Sequence, residues 1–294
     1  MIKYNENTVV SFSFNQKDTK NPVYVRGKLV KLTSLTNSLV ERFKDTLAKN
    51  NNVLQKHFLD ATTLAVLISN NFKFEGIFKL QITSQNGLLK AILIDCKNNG
   101  NVRGFISINE SFNKDIDLNK ASFKTLVGDG FMIFHLDSLN YKEPYQAVVG
   151  LGENNLEETA NNWFEQSEQI KTYIKLFKNE ETLEAGALFL QVVAQEQRKA
   201  KDVEQVLEDF NTLSILTNTM TNEEFFATQN DDLLYKLYNE FDTIIYPSQP
   251  YYYKCSCSKE KVVEMLSAFA QKEEGDDDSP KEIECSFCGT KYYI

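Results

Sequence analysis

The chain has 294 residues, 42% of them hydrophobic, enough for about two globular domains. A formal net charge of −9, with no cluster of Lys and Arg, argues against nucleic acid as the main partner. No apolar run reaches the roughly 18 residues of a membrane span, and the opening Met1–Asn7 has no apolar signal core, so the expectation is a cytoplasmic protein with no membrane partner.

Val9 to Phe14 and Val23 to Val30 are rich in β-branched and aromatic residues and predict strands. Leu35, Leu39, Val40, Phe43 and Leu47 then fall on one face of a helix, and a second helix is expected over Leu54 to Ser69. Further strands are predicted at Phe78–Thr83, Leu89–Asp95, Val102–Ser107, Phe131–Leu136 and Gln146–Val149, with hairpin turns at Asn86-Gly87 and Asn99-Gly100. Tight turns join antiparallel neighbours, so the fold class expected is α+β, with antiparallel-rich sheets and not a parallel nucleotide-binding sheet. From about Leu156 to Phe241 the pattern reads as almost entirely helical. Val203, Val206, Leu207, Phe210 and Leu213 form one apolar stripe, Thr221 with Glu224 a capping box, and Leu233, Leu234, Leu237, Tyr238 and Phe241 another apolar face. Helices of this kind depend on docking for stability. Pro247 and Pro250 break the pattern before the last segment, which is too short for a self-sufficient core. The division expected is a mixed domain over 1–178, a metastable helical linker over 179–246 and a small metal-dependent domain over 247–294.

Four of the five cysteines lie in the last 40 residues, as Cys255-Ser-Cys257, a gap of 27 residues, then Cys285-Ser-Phe-Cys288. Residues i and i+2 of an extended segment point to one side, so Cys255 and Cys257 can face one ion. Gly289 can supply the left-handed turn of a knuckle around Cys285 and Cys288. Two close pairs of thiolates predict one tetrahedral zinc ion with all four positions filled by protein, leaving no place for a catalytic water. Each pair can instead become a disulfide. Ser258 can cap a helix carrying Val262, Val263, Leu266 and Phe269 that ends near Gly275. The acidic loop Asp276–Asp278 lacks the ligand spacing of a calcium loop.

With these residues in hand, the chain resembles the heat shock protein 33 family, the redox-regulated bacterial 33 kDa chaperonins. The resemblance rests on Cys-x-Cys and Cys-x-x-Cys at the family spacing, and on segments in family order. These are Val25-Arg26-Gly27, Lys73-Phe74-Glu75-Gly76, Val102-Arg103-Gly104-Phe105, Pro144-Tyr145-Gln146, Phe164 to Gln169 and Ala185-Gly186-Ala187-Leu188-Phe189-Leu190-Gln191. It implies a reduced, zinc-bound, inactive state with Cys255, Cys257, Cys285 and Cys288 as ligands. It further implies that oxidation forms disulfides Cys255–Cys257 and Cys285–Cys288, releases zinc, unfolds the linker and favours a homodimer that holds unfolding client proteins without ATP. Ser256 stands where the family commonly has a basic residue.

Two other readings of the cysteine tail are a structural zinc module that contacts protein or RNA without redox activation, and a thiol–disulfide oxidoreductase. No nucleophile triad or nucleotide fingerprint appears, so the chain is not read as an enzyme. Cys96 is expected to be a half-buried packing residue, His57 and His135 packing residues, Gly128-Asp129-Gly130 a turn, Glu165 to Gln169 a polar helical face, and Trp163 with Phe164 part of the core.

Overall fold

The computed structural model describes residues 7–112, 116–138, 143–152, 154–193, 200–270 and 282–294. The first part holds strands β1 (Thr8–Gln16) and β2 (Pro22–Leu32), helices α1 (Ser34–Arg42), α2 (Lys44–Ala48) and α3 (Gln55–Ser69), and strands β3 (Gly76–Ser84), β4 (Leu89–Lys97) and β5 (Asn101–Ile108). Helix α4 (Phe123–Val127), strands β6 (Gly130–Ser138) and β7 (Tyr145–Gly150), helix α5 (Leu156–Trp163) and strands β8 (Thr172–Asn179) and β9 (Glu184–Val192) follow. Helices α6 (Ala200–Thr219), α7 (Asn222–Ala227) and α8 (Asn230–Leu237) lead to the short strands β10 (Phe241–Ile245), β11 (Gln249–Pro250) and β12 (Tyr252–Tyr253). Helix α9 (Lys259–Ala270) and the strands β13 (Glu282–Glu284) and β14 (Lys291–Tyr293) complete the described chain.

The first sheet runs β10-β1-β2-β9-β8, with β11 also on β1, and the second runs β12-β5-β4-β3-β6-β7. All pairings are antiparallel except the short β12–β5 contact, where Tyr252 and Tyr253 lie parallel to Asn101 and Val102. The α+β, antiparallel-rich class expected from the turns is the one found. Helix α3 is buried continuously from His57 to Ser69, and its side chains share one core with both sheets, which accounts for its nearly all-round apolar pattern.

A second core lies on the opposite face of the first sheet. Phe12, Phe14, Leu29, Phe177, Leu188 and Leu190 there meet Phe210, Leu213, Phe225, Leu233, Leu234 and Tyr238 from α6 to α8. The capping box between Thr221 and Glu224 is present in full. Phe225 stacks on Phe177 with centroids 4.0 Å apart and rings 5° from parallel. Gly186 makes room for it, because a Cβ there would meet the Phe225 ring at 2.4 Å and the Val30 carbonyl oxygen at 2.5 Å.

This docking contains opposing features. Val203, Leu207 and Ile215 of α6 are exposed, so the buried stripe is narrower than the sequence suggested and consists of Val206, Phe210 and Leu213 with Thr217. Lys31 is buried beneath α7, donating to the Thr228 carbonyl with its ammonium 5.1 Å from the Phe225 ring centroid. Among the described residues it has no carboxylate within ion-pair distance. Burial lowers its pKa to about 8, against a smaller raising effect of Glu184. A lysine pKa lowered on docking means that the undocked form binds the proton more tightly, so docking is disfavoured below pH 8 and tightens as pH rises from about 8 to 10.5. A Lys31→Met variant is expected to hold α6 to α8 more firmly at neutral pH by about 1–2 kcal/mol. Slower proteolytic cleavage within the three helices would show it, and faster cleavage would contradict it.

Several sequence expectations need correction. The stretch from Leu156 to Phe241 is not almost entirely helical, since β8 and β9 lie within it and Phe241 opens β10. Strand β9 falls in the span assigned to the linker, yet it sits between β2 and β8 in the first sheet. It is covered on both faces, so its run Ala185–Gln191 shows no alternation and resembles a buried helix. The helix through Leu35 and Leu47 breaks at Phe43, whose ring packs edge-on against Phe58 at 5.9 Å and Phe105 at 5.8 Å. Cys96 is fully buried, not half-buried, and burial raises its thiol pKa far above the ordinary value.

His57 lies in the core beside Phe123, with its pKa lowered to about 3, mainly by burial. His135 lies half-buried on β6. Trp163 and Phe164 are core residues, Glu165 to Gln169 are exposed, and Gly128 turns with φ +60° ahead of β6. The expected helix end near Gly275, the Asp276–Asp278 loop and the side chains of Leu266 and Phe269 lie outside the described residues. Among the described residues no helix is long and apolar enough to cross a membrane.

Candidate metal centre

Two local structures bring the four tail cysteines together. Cys255 and Cys257 follow β12, which is anchored on β5 by the bonds from Tyr252 N to the Gly100 carbonyl and from Lys254 N to the Val102 carbonyl, both 2.8 Å. Cys285 and Cys288 sit in the turn of the β13–β14 hairpin, whose register pairs Glu284 with Lys291. Gly289 adopts φ +75°, and its amide donates to the Cys285 carbonyl at 2.8 Å, as the knuckle reading requires. Ser258 lies at the start of α9 and accepts from Lys261 N at 3.4 Å.

The four cysteine sulfurs all lie within 4.8 Å of one another. The contacts between pairs are 3.8 Å for Cys255–Cys285 and 3.4 Å for Cys257–Cys288. Zinc–sulfur bonds of about 2.3 Å in a tetrahedron imply sulfur–sulfur edges of about 3.8 Å, so the donor set fits such an ion in number, type and spacing. All four cysteines are partly buried.

Burial raises the Cys257 thiol pKa to about 12, with Tyr292 donating to its sulfur at 3.1 Å in opposition. At Cys288 burial also acts upward, but hydrogen bonds from the Thr290 hydroxyl and amide and from the neighbouring thiols outweigh it and bring the value down to about 6. Cys257 and Cys288, in contact at 3.4 Å, therefore titrate as a coupled pair, in which a first negative charge favours Cys288. A cation that joins them displaces the remaining protons.

The cluster is seated on the second sheet. Arg103 of β5 donates to the Asp95 carboxylate at 2.8 Å from Nε and contacts it at 2.7 Å from Nη2. Its guanidinium carbon is 4.0 Å from the Phe287 ring centroid, and its Nη1 is 3.9 Å from Cys255 Sγ. Arg42 pairs with Glu284 at 3.0 Å, and Tyr253 Oη lies 3.4 Å from the Phe287 carbonyl oxygen.

The sequence reading selected the four cysteines that the fold brings together. It excluded Cys96, which lies apart in the core. It missed the seats provided by Arg103, Arg42 and Tyr292. One signal for Arg103 was present: Asp95 and Arg103 flank the Asn99-Gly100 turn and face each other across the β4–β5 hairpin.

Comparison with known proteins agrees with this architecture. The family described as Hsp33 protein matches residues 9–294. The 33 kDa chaperonin of Vibrio cholerae is 31% identical over 273 residues, covering 91% of this chain and 87% of the relative. That of Colwellia psychrerythraea is 31% identical over 279 residues, covering 92% and 89%. The crystal structure of the 33 kDa chaperonin of Thermotoga maritima superposes with a TM-score of 0.70 at 18% identity, over 98% of this chain and 94% of that one, which supports the shared fold. With one family matched from Val9 to the last residue and the four cysteines gathered at one point, the chain belongs to the Hsp33 family.

Proposed function

We propose that this protein is a redox-regulated holdase chaperone whose four tail cysteines hold one zinc ion when reduced. Family membership supports the chaperone role, with unfolding proteins as clients. The observation that carries the regulated form is the second core. Helices α6 to α8 cover an apolar face of the first sheet, and the chain running from them through β10, β11 and β12 leads directly into Cys255.

A zinc ion held by Cys255, Cys257, Cys285 and Cys288 would supply charge neutralisation and a link between the two cysteine pairs. The protein's own groups account for the rest of the scheme. With the cluster intact, β12 is held on β5, β10 and β11 are held on β1, and the helices stay docked. In the oxidation step, each pair of thiolates gives two electrons to a peroxide, which takes up two protons from solvent and is reduced to two waters, and one sulfur–sulfur bond forms per pair. The proposed pairs are Cys255–Cys257 and Cys285–Cys288. Sulfurs tied in disulfides are neutral and no longer converge on one cation, so the tail loses its cross-link.

Once the helices detach, Phe12, Phe14, Leu29, Leu188 and Leu190 of the sheet and Phe210, Phe225 and Leu234 of the helices become available to unfolded chains. Contiguous exposed apolar area is what a holdase offers. The domain roles proposed are a client-binding core, a linker centred on α6 to α8, and a switch from Pro247 to Ile294. Assembly of the oxidised form into a homodimer in the cytoplasm belongs to the same proposal.

The test is to measure zinc content and suppression of client aggregation on one sample before and after peroxide with mild heat. The expected result is about one zinc per chain before oxidation, released afterwards, with light scattering of a denaturing client suppressed only in the oxidised sample. Peptide mapping without reduction identifies the disulfide partners. Oxidised protein that suppresses aggregation no better than reduced protein would defeat the proposal.

A further inference from the structure

Phe287 lies between the two cysteines of the knuckle, where the sulfur geometry places no demand on its side chain. Its ring is nevertheless covered on the sheet side by the Arg103 guanidinium, with Phe105 at a centroid distance of 6.2 Å. Arg103 is not free to adjust. Two of its nitrogens are held by Asp95, which is largely buried, while the third points to Cys255 Sγ. One rigid planar cation thus touches three things: the second sheet, the knuckle ring and a candidate ligand sulfur. Arginine suits this position because its plane can stack while its edge donates.

We propose that Arg103 is the positioning residue that makes docking of the knuckle on the second sheet depend on the charge of the cysteine cluster. This rests on reading the cluster as a zinc site. Four thiolates and one divalent cation carry a net charge of −2, and Arg103 places a positive charge 3.9 Å from one of those sulfurs. Conversion of the thiolates to neutral disulfides removes that attraction and leaves Arg103 only its ring stack, beside the partly exposed Arg42–Glu284 pair and the Tyr253 contact. The knuckle then loosens from β5. The seat of β12, next to Arg103 on the same strand, loses its neighbour, and the disturbance reaches β11, β10 and the docked helices along the chain.

The experiment uses full-length, reduced, zinc-loaded protein and the variants Arg103→Gln, Arg103→Lys and Phe287→Leu. Lys171→Gln, at an exposed position beside the start of β8 in the first sheet, serves as a control for loss of a positive charge away from the cluster. Two quantities are read: the rate of zinc transfer to a chromogenic chelator, and hydrogen exchange of residues 282–294. Arg103→Gln is expected to release zinc on the order of tenfold faster, equivalent to about 1.4 kcal/mol, and to lose exchange protection in 282–294 while α3 is unchanged. Arg103→Lys, which keeps the charge without the planar stack, should fall between Arg103→Gln and the parent. Phe287→Leu leaves the sheet untouched, so it reads the docking surface even if Arg103→Gln perturbs folding. It should lose protection with a smaller effect on zinc. Parental values in both Arg103→Gln and Phe287→Leu overturn the inference. A parent protein that binds no zinc defeats the zinc reading instead, and the exchange comparison then still reports whether Arg103 seats the knuckle.

Discussion

Replacing Phe225 by alanine is expected to activate the protein without any oxidant. The Phe225 side chain is fully buried, stacks on Phe177, lies over Lys31 and fills the space above Gly186. Truncating such a ring costs about 3–5 kcal/mol, a large share of the roughly 5–15 kcal/mol that stabilises a whole domain. The loss falls on α6 to α8, which already carry exposed apolar residues and cover a buried lysine. In the reduced state the variant should therefore bind a hydrophobic dye, exchange rapidly over residues 205–238 and suppress client aggregation, while retaining one zinc per chain. An inactive variant with a parental exchange pattern would show that these helices are not the latch.

Replacing Cys257 by serine is expected to have the opposite separation of effects, striking the metal first. Cys257 touches Cys288 at 3.4 Å and accepts a hydrogen bond from Tyr292, so its sulfur is central to the cluster. Structural zinc contributes about 10–16 kcal/mol to folding a small metal-dependent unit at neutral pH, far more than the β13–β14 hairpin could supply alone. The variant should retain less than a tenth of the zinc of the parent protein and lose exchange protection in residues 282–294. Protection of α3 and of strands β3, β4 and β6 should persist, because their core draws on the tail only through Tyr251 and the partly buried Tyr253. Full zinc occupancy by elemental analysis would remove Cys257 from the ligand set.

How much of this was legible in the sequence depended on how each element is buried. Strands β3 to β7 mostly alternate buried with less buried residues, so their pattern stands out. Strands β1 and β2 were legible from β-branched and aromatic content, although Gly27–Leu32 is buried throughout. The expected bounds of all seven fall within one or two residues of the observed ones. Strand β9 is covered by α3 on one side and the docked helices on the other. That removes the alternation, and its alanines and leucines then read as helix. The capping box at Thr221 was legible because it is a local hydrogen-bond exchange over three residues. The convergence of the four tail cysteines was legible because two close cysteine pairs at this spacing are the pattern of a metal site. The contact of Arg103 with Cys255 joins residues 152 positions apart and has no local signature. The partnership of Phe177, Gly186 and Phe225 was likewise hidden, although Ala185-Gly186-Ala187 was visible as a family segment. Its physical reason, clearance for a stacked ring, appears only when β8, β9 and α7 are assembled.

The central claim is that the cysteine cluster keeps α6 to α8 on the first sheet. Hydrogen exchange of residues 205–238, followed in parallel with zinc release during peroxide treatment, tests it most directly. The account predicts that protection of these helices collapses in step with the departing zinc while α3 stays protected. Complete zinc release with the helices still protected would contradict it.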